Sequence, residues 1–143
     1  MRIVLDVRIL GRGEISGIRE YAYNITDRLL THESQHDYIL FYPGLKKNPL
    51  PKTWTDRKNV SVVSWNIPNK LLEIGSFFFP RSQWIEKQLK ADIIFSPHIN
   101  VIPRVKTPRY LTIHDLSFIH YPQFFGMREK IWHRMQRIQK QAS

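Results

Sequence analysis

The 143-residue sequence contains no cysteine, which excludes a disulfide framework, thiolate zinc sites and a thiol nucleophile. Long apolar runs are missing too, since no segment approaches the ~20 apolar residues of a membrane-spanning helix. Asp6 interrupts the first apolar stretch, where a secretory signal would need continuous apolar length. These absences favour a soluble, cytoplasmic protein that touches a membrane at most peripherally.

Acidic side chains are scarce: 12 aspartates and glutamates stand against 22 lysines and arginines, and the net charge is +10. The basic excess lies in residues 46–58, 104–109 and 128–140. Such a surface attracts nucleic acid, a phosphate-bearing ligand or an anionic membrane face, or it only keeps the protein soluble. Nucleic acid is not expected, because the sequence has no base-reading helix motif and no basic strand studded with aromatic residues.

Short apolar runs alternate with segments of helical periodicity. Strands are predicted at residues 2–7, 38–42, 60–65, 92–95 and 109–113, and helices from residue 18, over 82–90 and from 127. Ser16 is the expected N-cap of the first helix. That helix is expected to bury one apolar stripe: Ile18, Tyr21, Ala22, Ile25 and Leu29. The alternation indicates an α/β domain with an open parallel sheet and flanking helices.

The most informative motif is the run YLTIHD at 110–115, an apolar stretch that ends in an imidazole and a carboxylate. In an open parallel sheet, the carboxyl ends of the strands open onto the ligand crevice. His114 and Asp115 are costly to place near a core and useful at a site, although a histidine that only caps the sheet is the alternative. His98 and His120 also follow strand exits, but the histidine spacings match no metal motif, so no metal is expected.

A loop with three glycines, at positions 11, 13 and 17, joins the first strand to the first helix. A helix N-terminus favours a bound anion, but a plain turn is the alternative. The spacing disfavours the G-x-G-x-x-G dinucleotide site, and no Gly-Lys-Ser or Gly-Lys-Thr of a P-loop occurs. A serine hydrolase is unsupported, because the sequence has no Gly-x-Ser-x-Gly elbow.

Four segments in order resemble those of a known family. They are the strand at 2–8 with Leu10, SGIREY at 16–21 with Asn24, ADIIFSPH at 91–98, and TIHDLSF at 112–118 followed by Tyr121 and Pro122. They are similar to the N-terminal half of a GT-B-fold glycosyltransferase of the large retaining family four. Two departures occur within these segments. Arg19 and Glu20 replace the second glycine and the arginine of the family's G-I-G-R-Y, and Phe95 replaces its usual histidine.

The resemblance implies a Rossmann-like domain, the acceptor-side half of a two-domain enzyme. The half is expected to be incomplete at its C-terminus, with the donor-binding domain absent. It implies retaining transfer of a sugar from a nucleotide-sugar donor to a glycan or lipid-linked acceptor, as in cell-envelope polysaccharide synthesis, without a cofactor. The chain alone is expected to transfer no sugar.

Site roles follow from the same resemblance. Gly17, Ile18 and Arg19 match the loop that faces the donor diphosphate. His114 matches the histidine near the transferred sugar, and Asp115 would orient the loop or the imidazole. On the acceptor side the matching residues are Ser96 and His98.

The sequence leaves two other functions open: a non-catalytic remnant or binding module of the same fold, and a basic nucleic-acid-binding protein. The apolar cluster at 71–79 is either part of the core or an exposed docking surface. Its members are Leu71, Leu72, Ile74, Phe77, Phe78 and Phe79. Burial in the core is expected, whereas exposure beside basic loops would suit a lipid-linked acceptor at a membrane face.

Overall fold

The computed structural model describes residues 1–11, 16–45, 48–78, 88–100 and 106–136. Within these residues the strands are β1 (Arg2–Asp6), β2 (Asp37–Phe41), β3 (Val60–Val63), β4 (Ile93–Ser96) and β5 (Arg109–Leu111). The helices are α1 (Gly17–His32), α2 (Lys52–Thr55), α3 (Asn69–Phe78), α4 (Ser117–His120) and α5 (Met127–Gln136). Short 3-10 turns occupy Arg8–Gly11 and Pro122–Phe124.

The strands form one sheet in the order β3-β2-β1-β4-β5, and every neighbouring pair is parallel. The predicted α/β architecture, a Rossmann-like open parallel sheet with flanking helices, is therefore confirmed. The strand order reverses between β1 and β4. In such sheets the crevice at this switch point, outside the carboxyl ends of the strands, is where ligands bind.

The sheet is buried on both faces, as the alternation along β2 shows. Tyr38, Leu40 and Tyr42 belong to the core on one face, whereas Ile39 and Phe41 belong to the core on the other. Helices α1 and α2 cover the first face, with a cluster completed by Leu5, Val7, Leu10, Ala22, Leu30 and Trp54. The second face is completed by Val4, Leu89 and Ile94.

Helix α1 begins where the sequence predicts. Ser16 has extended backbone, and its hydroxyl accepts from the Arg19 N–H at 3.3 Å, so the predicted N-cap is confirmed. The predicted buried stripe is wrong at Ile18 and Tyr21, which are exposed. A helix that follows a strand begins at the carboxyl edge of the sheet and runs back along it, so its first turn lies beside the crevice.

Strand β5 is shorter than predicted. It ends at Leu111. The pairing with β4 continues for one more residue, because Thr112 donates its N–H to the Ser96 carbonyl at 2.9 Å. His114 therefore lies on a loop three residues beyond the strand and not directly at its exit. Strand β3 also ends early, at Val63.

Three helices were not predicted, α2, α3 and the short α4. The first lies in a segment read as a loop, and the second occupies the apolar cluster. Burial of that cluster is confirmed for Leu72 but wrong for Leu71, Ile74 and Phe78, which are 58%, 42% and 69% exposed. Most of the predicted helix at 82–90 lies outside the described residues. Phe79 and residues 137–143 of the last predicted helix lie outside them as well.

Candidate functional site

Two opposite charges are buried together where β1 ends. Asp6 and Arg8 are 0% and 2% exposed. Arg8 donates to the two carboxylate oxygens of Asp6 from Nε at 2.9 Å and from Nη2 at 2.7 Å. Burial alone would raise the pKa of Asp6, but attraction to Arg8 and, less strongly, to His98 holds this pKa well below its usual range. The Asp6 carboxylate is therefore ionised throughout the neutral range.

Asn100 ties this ion pair to the loop after β4. Its Nδ2 donates to Asp6 Oδ2 at 3.4 Å and contacts Nε2 of His98, and its carbonyl accepts from Arg109 Nη2 at 3.3 Å. Burial lowers the pKa of Arg109 to about 10, against the opposing attraction of Asp6. The cluster thus joins the ends of β1 and β4 with the start of β5, across the switch point.

Ser96 and His98, the predicted acceptor-side residues, both lie in this buried region. Ser96 ends β4 with its side chain fully buried, and His98 is nearly as inaccessible. Within the described part of the chain, the Ser96 hydroxyl has no hydrogen-bond partner. Burial favours a role in supporting the strand exits over direct contact with an acceptor.

His114 is exposed, and two contacts fix its ring. Its Nε2 lies 2.8 Å from the carbonyl oxygen of Pro97, the residue after β4. The Tyr21 ring meets the imidazole edge-on, with 4.9 Å between the ring centroids and 82° between the ring planes. Strand exits β4 and β5 and the first turns of α1 therefore meet at one imidazole.

Asp115 accepts from the backbone N–H of Ser117 at 2.7 Å and also from the Ser117 hydroxyl. These bonds order the turn into α4. Of the two roles that the resemblance implies for Asp115, this geometry favours orientation of the loop over orientation of the imidazole.

At its first residue, Gly17, helix α1 has open space on the side where a Cβ would lie. A Cβ added at Gly17 would meet nothing within 4 Å, and both Gly17 and Ile18 are exposed. Ser16 already satisfies two amides, because its hydroxyl and its carbonyl accept from Arg19 and Glu20. The N–H groups of Gly17 and Ile18 belong to the first turn, which has no intrahelical acceptor. They can donate to an anion that approaches along the helix axis.

Gly17 and His114 lie on one side of the sheet edge. Tyr21 follows Gly17 by four positions, so the two share a helix face. The Tyr21 hydroxyl reaches Thr112 Oγ1 at 3.4 Å, and its ring contacts His114. The Tyr21 contacts therefore place His114 beside the first turns of α1, the helix that begins with Gly17 and Ile18, whereas Ser96 and His98 lie in the buried cluster.

Sequence reasoning missed Asp6, Arg8, Asn100 and Tyr21 as parts of this region. The signal for the first two was available. An acid and a base two residues apart at the end of an apolar strand share a face, where each can neutralise the other. Tyr21 was read as a core residue because it fits the apolar stripe of α1.

No protein-family model, curated protein or solved structure matches the chain. In residues 1–11, 16–45, 48–78, 88–100 and 106–136, no group of three or more acidic or histidine side chains is placed to hold a metal ion. None of the helices in this described part has the length and apolar content needed to span a membrane.

Proposed function

We propose that the chain is the acceptor-side, N-terminal domain of a retaining GT-B-fold glycosyltransferase. One observation carries the proposal: Tyr21 contacts His114, which brings the glycine turn of α1 and the imidazole beyond β5 to the same side of the crevice. The four segments that resemble the family include both of these elements. The donor-binding glutamate pair of the family would belong to a second domain outside these 143 residues.

The arrangement suits a ligand with a diphosphate at one end and a sugar at the other. Gly17 and Ile18 offer backbone N–H groups and the positive end of the α1 dipole to the diphosphate. Tyr21 lies about 6 Å further along the axis, at ~1.5 Å per helical residue, so an extended nucleotide-sugar can reach from the amides to His114. There the imidazole would hydrogen-bond a sugar hydroxyl while charge develops in the transition state.

The proposed chemistry requires little else of this domain. Retaining transfer with departure of a nucleoside diphosphate needs no pair of glycosidase carboxylates here. It also needs no metal or other cofactor from this domain. Arg19 stands where the family has a glycine, and its partly buried side chain would border the diphosphate and add positive charge.

Binding of nucleotide-sugars to the 143-residue chain tests the proposal. In titrations with a panel of nucleoside diphosphates and their sugars, we expect the amide signals of Gly17 and Ile18 to shift with both kinds of ligand. The His114 ring signals should shift only with the sugars. His114→Ala should remove the sugar-dependent part of the affinity, and His120→Ala is the matched control, since His120 is another exposed imidazole.

Three results would count against this function. They are no response to any nucleotide-sugar, an unchanged sugar response in His114→Ala, and salt-dependent binding to random DNA with no nucleotide-sugar effect. The last would favour a basic nucleic-acid-binding protein. We expect no sugar transfer by the purified chain, and detectable turnover would contradict the division of labour between two domains.

We further propose that the acceptor is lipid-linked and that the domain works at the cytoplasmic face of an anionic membrane. Leu71, Ile74 and Phe78 recur at helical spacing and form an exposed apolar stripe on α3, while Leu72 and Ser76 are buried. An apolar helix face on a chain of net charge +10 is typical of binding at an anionic membrane interface. Lys52 and Lys58 are exposed, whereas Lys46 and Lys47 lie outside the described residues.

Vesicle co-sedimentation tests this second proposal. At low salt we expect binding to anionic vesicles, release as salt rises, and no binding to neutral vesicles. Replacing Leu71, Ile74 and Phe78 by serine should weaken binding strongly, whereas Leu45→Ser, at an exposed leucine elsewhere, should not. Equal binding of the triple variant would assign the interaction to charge alone, and no binding by the wild type would refute the membrane contact.

A further inference from the structure

Tyr21 holds both ends of the short segment that carries His114. Its hydroxyl meets Thr112 Oγ1 at 3.4 Å, and its ring meets the imidazole edge-on at 4.9 Å. Tyr21 is itself 39% exposed, so it contributes little to the core. A large aromatic ring in such a position acts mainly on its immediate neighbours.

The second contact of His114 decides which ring nitrogen carries the hydrogen. A backbone carbonyl only accepts hydrogen bonds, so Nε2 must donate to the Pro97 oxygen at 2.8 Å. In the neutral imidazole the hydrogen then resides on Nε2, and Nδ1 keeps its lone pair. Any ligand group that Nδ1 binds must therefore bring its own hydrogen, as a hydroxyl does.

We propose that Tyr21 is a positioning residue that packs the 112–114 segment against α1, so that His114 donates from Nε2 to Pro97 and presents Nδ1 as an acceptor for a ligand hydroxyl. Only the identity of that hydroxyl, as part of a sugar, rests on the proposed function. The orientation and tautomer of His114 are properties of the chain without any ligand. Because α1 also supplies the amides of Gly17 and Ile18, Tyr21 fixes the distance between the two parts of the site.

The tautomer can be measured directly by nuclear magnetic resonance. Long-range ¹H–¹⁵N spectra of the labelled chain, in alkaline buffer where imidazoles are neutral, distinguish protonated from unprotonated ring nitrogens. The His114 signals are those that disappear in His114→Gln. We expect a protonated Nε2, an unprotonated Nδ1 and contacts between the ring protons of Tyr21 and His114.

Substitutions at Tyr21 then separate positioning from packing. Tyr21→Leu should raise the hydrogen-exchange rate of Nε2–H by about two- to twelvefold, the factor to which an aromatic-pair energy corresponds. Tyr21→Phe keeps the ring and should restore most of the protection, and Thr112→Val should behave like Tyr21→Phe. Tyr110→Leu, at an exposed tyrosine on β5, is the matched control and should change nothing.

Two outcomes would overturn the inference. One is a wild-type His114 with its hydrogen on Nδ1. The other is a folded Tyr21→Leu or Tyr21→Ala variant whose Nε2–H exchange rate matches that of the wild type. Since no ligand enters these measurements, they are separate from the titrations: a positioned His114 with no nucleotide-sugar response would retain this inference and remove the function.

Discussion

The buried pair of Asp6 and Arg8 makes the most quantitative prediction. Asp6→Asn keeps the shape of the side chain but removes the negative charge. The Arg8 guanidinium, which is only 2% exposed, then lacks its counter-ion. Breaking a buried ion pair by removing one partner costs about 3–5 kcal/mol. Arg109 adds a second positive charge to the surroundings of Asp6, so we expect no relief from its neighbours.

Removing both charges of the pair should cost less than the two single substitutions added together. Arg8→Met alone leaves a buried carboxylate whose Arg8 bonds are lost, whereas the double variant Asp6→Asn/Arg8→Met removes both charges of the pair. We therefore expect the double variant to cost at least about 2 kcal/mol less than the sum of the single variants, because contacting residues are not additive. With free energies of unfolding of about 5–15 kcal/mol for ordinary domains, the single variants should remain folded.

Urea unfolding followed by circular dichroism measures these differences. With a slope of about 2 kcal/mol per molar urea, Asp6→Asn should lower the unfolding midpoint by roughly 2 M. Asp92→Asn is the matched control: the Asp92 carboxylate is exposed and accepts from the Arg2 N–H at 2.7 Å, and its loss should cost less than about 1 kcal/mol. A midpoint for Asp6→Asn close to that of Asp92→Asn would refute the reasoning, as would additivity in the double variant.

Two further predictions concern pH and glycine. The folded-state pKa of Asp6 is depressed, so its stabilisation is complete above the unfolded value of about 3.9 and declines as pH falls below it. The free energy of unfolding should therefore decline as the pH falls below about 4, and it should decline less steeply in Asp6→Asn. Equal pH dependence of the unfolding free energy in the two proteins would contradict the pairing. Gly11→Ala should cost about 1–3 kcal/mol, because its Cβ would lie 3.2 Å from the Tyr42 ring. Gly17→Ala, with open space around it, should leave the thermal midpoint unchanged or higher. Equal midpoints for the two alanine variants would show that the Tyr42 ring moves aside at no cost.

The sheet was predictable because buried parallel strands are continuous apolar runs. Each of the five strands begins within one residue of its predicted start, and Ser16 marked the start of α1. The apolar run that forms α3 carried no such signal. A short apolar segment reads equally as strand, buried helix or core, and periodicity alone does not separate these.

The site was only half predictable. His114 and Gly17 could be placed at the sheet edge because strand ends and helix starts are visible in sequence. The role of Tyr21 was hidden, because an aromatic residue in a helical stripe looks the same whether it packs on the core or on a neighbouring loop. The contacts of Asn100 with Asp6 and His98 join the ends of β1 and β4, and such a tertiary contact has no local pattern in the sequence.

The position of β1 in the sheet has a consequence for synthesis of the chain. Ile3 pairs with Tyr38 on one side and Ile93 on the other, partners that lie 35 and 90 positions further along. At translation rates of about 5–20 residues per second, β4 emerges roughly 5–20 s after β1. During that interval β1 is a temporary edge strand, with unpaired backbone groups that can template pairing with other nascent chains. Slower accumulation of the chain, or a holding chaperone, should therefore raise the yield of folded protein without changing its sequence.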